Sequence, residues 1–339
     1  MSRRVLIPPA LPASLPVGGG ALARAIRDFS GTTMGTYWRA RVVEPDRITC
    51  ASAEKIIRDA MATVVALMSP WEPGSDLGRY RSAAPGTWVP LRPETFGVLS
   101  RALEVAALTG GRYDPTIGRL TDALGFGPSD PALAALPDSP RAARAREATG
   151  YTRVRLDPLA QTAFQPGGLQ LDLCSIAKGY AVDLAIEQLE AAGVKSCFVE
   201  IGGEARGRGC KPDGQPWWCL IEPPGAPGHG LPSMVAAACD IALATSGNTV
   251  RRRPLPKGEL GHIINPLAGQ SPDPNLESVT VIAPTCMEAD VFATALFLLG
   301  AEAGCTFAAA HGLAALFVEH PPAQGHRERW SPRFAELLA

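Results

Sequence analysis

Residues 169–203 read LQLDLCSIAKGYAVDLAIEQLEAAGVKSCFVEIGG, and no other stretch restricts the possible folds as much. Residues 169–173 alternate apolar and polar as a short strand does, and the pattern breaks at Cys174-Ser175 before a helical one begins. Ile176, Tyr180, Leu184, Ala185 and Leu189 then recur at helical spacing, Gly193 stands where a left-handed C-terminal residue is wanted, and residues 198–201 resume as strand. Ser175 is the expected cap, which places Lys178 in the first helical turn. The unpaired N–H groups and dipole there favour an anion, and a lysine opposes that dipole. Lys178 is therefore either a solvated surface residue or the mobile charge of a phosphate site. Asp172, six positions earlier, either holds ligand hydroxyls or orders the turn.

The chain has 339 residues, 46% of them hydrophobic, enough for one two-lobed domain or two small ones. A formal charge of −1 and the lack of a basic stripe exclude a nucleic-acid binder. Eight cysteines occur without a CxxC pair or a nearby histidine at ligand spacing, so zinc and iron–sulfur sites of that type are not expected. Several, including Cys197 and Cys286, lie in apolar runs and read as buried thiols of a reducing compartment. Prolines interrupt any apolar signal core after Ser2-Arg3-Arg4, and no cysteine there suits lipid attachment. Residues 1–27 are accordingly expected to form a flexible extension, residues 28–339 one folded domain, and the location is read as cytoplasmic. No apolar run reaches membrane-spanning length.

Taken in order, residues 29–43 predict a turn and then a strand, with Met34 a polarizable side chain suited either to a flat ring or to the core. Residues 51–68 predict a helix capped by Ser52, and Pro93–Leu108 a second helix. Residues 129–150 predict a loop and short surface helix; 151–157 and 162–165 predict strands; 204–209 a turn-rich segment; Trp217–Ile221 a strand whose tryptophans serve core and interface; 223–232 a loop. Residues 278–283 predict a strand, 287–299 an apolar helix stopped by Gly300, and Ala314–Glu319 a strand before a polar loop and a short final helix. Asp290 and Thr294 are four apart, so two oxygens project from one face of that apolar helix. Either they cap and back-bond locally, or a magnesium ion holding phosphates compensates their burial. His262 is the side chain best able to take a proton near neutrality, or else a satisfied core residue.

Asp172-Leu173, Ile176-Ala177-Lys178-Gly179-Tyr180-Ala181-Val182-Asp183 and Ile201-Gly202-Gly203 resemble the central signature of the ApbE family, the FAD:protein FMN transferases. Met34-Gly35-Thr36, the loop from Trp71 through Ser75-Asp76-Leu77, Arg112-Tyr113-Asp114-Pro115-Thr116, Ala244-Thr245-Ser246-Gly247 and His262-Ile263-Ile264-Asn265-Pro266 resemble further family motifs in family order. The chain departs from the pattern at Trp71 (Tyr in the family), at Asn248-Thr249 (Asp-Tyr) and at Asn265 (Asp). The resemblance implies a mixed α/β fold with an FAD cleft between two lobes. It implies Mg2+-dependent transfer of FMN from FAD to a Thr or Ser hydroxyl of an acceptor protein, with release of AMP. Carried over residue by residue, it implies Ser175, Asp290 and Thr294 as metal ligands, with Glu288 assisting. Lys178 would stand at the diphosphate, His262 would be the base, and Met34, Trp71, Arg112, Tyr113, Asp114, Asp172 and Ile263 would frame the FAD. An FAD pyrophosphatase yielding free FMN and AMP, and a flavin-binding module without chemistry, are the alternatives.

Overall fold

The structure, a computed structural model, describes residues 4–7, 25–221, 231, 233–248, 251–321 and 325–338. Strands run β1 (Arg4–Leu6), β2 (Ile26–Thr33), β3 (Thr36–Val43), β4 (Thr87–Pro90), β5 (Arg155–Asp157), β6 (Thr162–Gln165), β7 (Cys197–Ile201), β8 (Glu204–Arg208), β9 (Trp217–Ile221), β10 (Met234–Ala238), β11 (Ile241–Gly247), β12 (Arg252–Pro254), β13 (Glu259–Gly261), β14 (Leu276–Ala283), β15 (Ala314–Glu319) and β16 (Arg327–Trp330). Helices are α1 (Cys50–Met68), α2 (Asp76–Ser82), α3 (Pro93–Leu108), α4 (Gly118–Ala123), α5 (Pro140–Glu147), α6 (Ala177–Ala191), α7 (Cys286–Leu299), α8 (Ala301–Ala310) and α9 (Pro332–Ala335). This is the mixed α/β composition expected.

An eight-stranded sheet in the order β16-β15-β14-β11-β8-β7-β3-β2 organises the whole, and every pairing in it is antiparallel. Side chains alternate between its faces with the two-residue period of a strand. In β15, Ala315 and Phe317 enter the main core while Ala314, Leu316 and Val318 enter a second one. On the main-core face lie α6 and α7, with α1 against α6 and α8 against α7. The opposite face is covered by a small sheet in the order β1-β10-β9, through Leu6, Trp217, Ile221 and Met234. Helix α7 is buried almost all round, which suits a helix enclosed by a sheet and two other helices.

Several local expectations are corrected. Within residues 1–27, expected to be a flexible extension, Arg4–Leu6 pairs in parallel with β10 and Leu6 is buried. Residues 29–43 are not a turn plus one strand but belong to a hairpin whose turn is Met34-Gly35. Helix α1 is capped by Thr49, whose hydroxyl accepts from the backbone of Ser52. Residues 169–173 form no sheet strand; a single bridge joins Gln170 to Ile117, and extended chain enters the turn. Residues 204–209 hold strand β8, and the segment 151–157 opens as a short 3-10 turn before β5. The predicted loop at 223–232 lies almost wholly outside the described residues.

Helices α6 and α7 pack so closely at Gly179 that a Cβ there would sit 2.3 Å from the Cys286 carbonyl oxygen and 2.8 Å from the Asp290 Cβ. Gly179→Ala should therefore destabilise the fold by about 1–3 kcal/mol through overpacking against backbone, read as a lowered denaturation midpoint. An unchanged midpoint would mean the two helices can part at no cost.

Candidate functional site

The first turn of α6 is less open than its sequence implies. The N–H groups of Ile176 and Ala177 both donate to the Leu173 carbonyl (3.1 and 2.8 Å), and that of Gly179 donates to Asp290 Oδ2 on α7 (2.9 Å). Ser175 does not cap; its hydroxyl donates to the Tyr113 hydroxyl at 3.1 Å, and the cap position is Ile176. The capacity to hold an anion thus falls to the Lys178 side chain. Its Nζ lies 2.5 Å from Glu204 Oε1 on β8. Burial opposes the charge on Lys178, but the carboxylates of Glu204 and Asp290 outweigh it and raise its pKa.

Glu204 and Asp290 are themselves buried, at 3% and 2% exposure, and burial raises both carboxyl pKa values against the pull of Lys178. Among the described residues Glu204 Oε2 has no hydrogen-bond partner. Two carboxylates face one ammonium, so the ionised cluster carries an excess negative charge in a low-dielectric wall. Thr294, one turn beyond Asp290, holds its hydroxyl 2.9 Å from the Ser246 hydroxyl of β11. Hard oxygens with uncompensated negative charge are what a small divalent cation such as Mg2+ requires, so the residues present fit that ion. Glu288, expected to assist, is instead committed to Arg101 of α3 through two bonds of 2.7 and 2.8 Å. Two residues, about half a helical turn, separate it from Asp290, so the two carboxylates leave the helix on opposite faces.

Opposite stands His262. Its Nδ1 lies 3.2 Å from the Arg251 carbonyl, an atom that can only accept, which puts the ring proton on Nδ1 and leaves the Nε2 lone pair available. Burial and the Arg251 charge lower its pKa to about 4, so the ring is a neutral base at pH 7. The Asn248 side chain accepts from the Ile263 N–H (3.0 Å) and donates to its carbonyl (3.3 Å), fixing the segment that follows β13 and carries the histidine. The Phe126 ring meets the imidazole edge-on at 6.5 Å, and Arg251 covers the other ring with its Nη2 on the Phe126 carbonyl.

Met34 and Gly35 occupy the β2–β3 turn with φ of 49° and 72°. A methionine in the left-handed region is uncommon, and it places the thioether at the cleft. Trp71, 45% exposed, forms another part of the wall. Asp114 and Asp172 also line the cleft, yet their oxygens are engaged in loop bonds. Asp114 accepts from the Thr116 N–H and hydroxyl (2.8 and 2.6 Å) and the Tyr151 N–H (3.0 Å), while Asp172 accepts from the Cys174 N–H (2.9 Å) and the Thr121 hydroxyl (3.1 Å). Of Asp172's two readings, the turn-ordering one describes these bonds.

Lys178, Glu204, Asp290, Thr294 and His262, together with Met34, Gly35, Trp71, Tyr113, Asp114, Asp172, Ser175 and Ile263, border one open cleft of about 1540 Å³, whereas Glu288 does not reach it. Arg112 does not: between buried Gly111 and Tyr113 its side chain points out, along a shallower groove beside Asn265 and Gln270. Glu204 and Arg251 have no signal in the sequence that marks them as site residues; Trp218, expected to serve core and interface, instead borders the cleft with 45% exposure. The nearest signal for Glu204 was its place directly after Gly202-Gly203, whose positive φ values turn β7 into β8 beside the cleft.

A sequence model of the ApbE family matches residues 34–317. The chain is 32% identical over 323 residues to the FAD:protein FMN transferase of Salmonella typhimurium, covering 93% of this chain and 90% of that one. It is 30% identical over 316 residues to the enzyme of the same name from Klebsiella pneumoniae, covering 91% and 89%. Among solved structures, the Pseudomonas stutzeri flavinyl transferase ApbE in its apo form superposes with a TM-score of 0.84 at 29% identity, covering 94% of this chain and 98% of that one. The flavin transferase ApbE of Vibrio cholerae gives 0.82 at 30% identity, covering 93% and 100%.

The geometry around His262 makes a prediction that needs no substrate. Its imidazole should titrate near pH 4 by NMR, about two units below an ordinary histidine, and Arg251→Gln should move the midpoint upward by removing the neighbouring positive charge. A wild-type midpoint at the ordinary value would mean the ring is solvated.

Proposed function

Because the chain belongs to the ApbE family, we propose that it transfers FMN from FAD to an acceptor protein, and that the cleft bounded by Lys178, Asp290 and His262 is where this happens. The observation that carries the reading is the convergence of a buried carboxylate pair, one lysine and a neutral histidine on a single cleft large enough for a dinucleotide.

The finer chemistry follows from what each group can do. The acceptor is a Thr or Ser hydroxyl. Nε2 of His262 takes the hydroxyl proton as the oxygen attacks the FMN-side phosphorus; the bond from that phosphorus to the bridging oxygen breaks, and AMP leaves with the electron pair. Lys178 stands against the diphosphate oxygens, and swinging toward them lengthens its pairing with Glu204. Asp290, Thr294 and Ser175 are the ligands proposed for Mg2+, with the unpartnered Glu204 Oε2 as a further oxygen. When bound, the ion neutralises charge that develops on the phosphate oxygens. Met34, Trp71 and Tyr113 provide flat or polarizable surface for the flavin and adenine rings. Asp114 and Asp172 act by holding the 112–116 loop and the 172–176 turn in shape. Arg112 is proposed to contribute only through its backbone.

No helix among the described residues is long and apolar enough to cross a membrane. Cys197 and Cys286, fully enclosed in the main core, suit a reducing compartment, and a cytoplasmic placement is proposed on that ground. The transferase domain is taken to span residues 28–339, with Ile26 and Arg27 of β2 and all of β1 joining it from the preceding segment.

Incubation with FAD, Mg2+ and an acceptor peptide containing Thr or Ser should give a peptide carrying FMN by phosphoester linkage, seen by mass spectrometry, with one AMP released per modification. Release of AMP at the same rate with no acceptor, and no modified peptide when one is present, would make the protein a pyrophosphatase instead. Intact FAD after prolonged incubation would leave only binding. His262→Ala should lower turnover by about 10²–10⁴-fold. Asp290→Asn should lower it by at least about 10²-fold and raise the Mg2+ concentration needed for half-maximal rate. In the wild type the acid limb of the rate profile should fall near pH 4, because only below that value does His262 hold the proton it must accept.

A further inference from the structure

Outside the cleft, two imidazoles and a carboxylate converge at the end of the large sheet. Glu277 sits in β14 where the register with β15 shifts between Leu276 and Ser278, and such a bulge re-aims the side chain it carries. His320 directly follows β15, and its N–H donates to the Asn275 carbonyl at 2.8 Å, which ties the two segments together. His326 directly precedes β16. His326 Nε2 lies 3.0 Å from Glu277 Oε2 and His320 Nδ1 lies 3.5 Å from Glu277 Oε1, so each oxygen meets one ring nitrogen. The rings stack at 4.0 Å with planes 16° apart. All three ligand atoms fall within 4.8 Å of one another.

We propose that Glu277, His320 and His326 bind a divalent transition-metal ion, Zn2+ being the best match to the donor set. Ligands about 2.0–2.2 Å from a tetrahedral zinc stand roughly 3.4 Å apart, close to the spacing already present. Stacked rings aim their lone pairs side by side, so binding requires the half-exposed His320 ring to turn out of the stack, which also leaves room for water as a fourth ligand. Among the described residues no lysine or arginine forms an ion pair with Glu277, whose carboxylate oxygens meet the two imidazoles. The site differs in kind from the oxygen-only cluster at Asp290. Two imidazoles favour zinc, nickel or cobalt, whereas magnesium prefers oxygen throughout. An ion here clamps three strand ends together at the bulge. Ser278, next in the chain after Glu277, lines the cleft, so the clamp would hold one border of the FMN-transfer site without entering its chemistry.

The test uses untagged full-length protein, freed of metal with a chelator and then titrated with Zn2+ by calorimetry in excess Mg2+, with Co2+ as a spectroscopic probe. One Zn2+ per chain is expected, together with visible Co2+ absorption of low coordination number. Glu277→Gln and the double substitution His320→Gln/His326→Gln should each weaken that binding at least about tenfold, with folding checked by circular dichroism. Zinc should also raise the wild-type melting temperature and leave that of the double variant unmoved. Cys210 and Cys239, whose sulfurs stand 3.2 Å apart, are the competing soft site. If Cys210→Ser abolishes the zinc equivalent, or the histidine variants retain it, the proposal is overturned. Absence of any zinc equivalent in the wild type overturns it equally.

Discussion

Two helices cap one another with carboxylates, and the site depends on that exchange. Asp183 on α6 accepts the first N–H groups of α7, from Cys286 at 2.9 Å and Met287 at 2.8 Å, and is held by Arg206 at 2.7 Å. Asp290 on α7 accepts the Gly179 N–H in the first turn of α6. Each helix thus satisfies backbone donors that its partner leaves open, and each buried carboxylate gains bonds that offset part of its desolvation. Only a glycine at 179 lets the backbones come close enough. Because the second oxygen of Asp290 is not needed for the cap, one residue both locks the helix pair and presents charge to the cleft. Lys178 and Thr294 inherit their positions from the same contact.

That arrangement costs stability locally. Glu204 and Asp290 would be more comfortable in water, and a single lysine does not balance them. The surrounding fold holds the cluster in place. The eight-stranded sheet is covered on both faces, so β8 and β11, which bring Glu204 and Ser246, cannot shift without disturbing two cores. A charge imbalance held by rigid packing suits the cation and diphosphate proposed above, since the backbone is already in place and the movement left to make is that of the Lys178 side chain away from Glu204.

How legible this was in the chain varies with the range of the interactions involved. Helix α3 and strands β9 and β15 were readable to the residue, because period and flanking residues decide them locally. Strand β8 was not: Glu-Ala-Arg-Gly-Arg looks like a turn until Glu204 finds Lys178 and Arg206 finds Asp183. Residues 169–173 alternate like a strand but have no neighbour to pair with beyond one bridge. Ser52 and Ser175 look like caps, yet Thr49 lies nearer the true start of α1 and Tyr113 takes the Ser175 hydroxyl. Among the site residues, those inside motifs all reach the cleft except Arg112. Glu204 and Arg251 had no motif to announce them, because their roles are defined by partners in distant segments, Lys178 and His262.

Arg112, Asp114 and Asp172 together indicate how the dinucleotide end of the cleft achieves its shape. Both aspartates spend their oxygens on backbone and hydroxyl donors within about three bonds each, and the arginine faces away. Charged side chains in these loops therefore act mainly as staples, and what faces the cleft is the Tyr113 ring, main chain and the Met34 thioether on its left-handed turn. A surface of that kind selects a ring system by contour and contact area, and carries little charge of its own. The charged group stands beside it: the Tyr113 hydroxyl meets Ser175, three positions before Lys178, and Asp290 is near enough to help raise the phenol pKa. A ring surface abutting a charged cluster matches a ligand whose flat ring system adjoins a diphosphate, and it leaves the outward-turned Arg112 with no part in either contact.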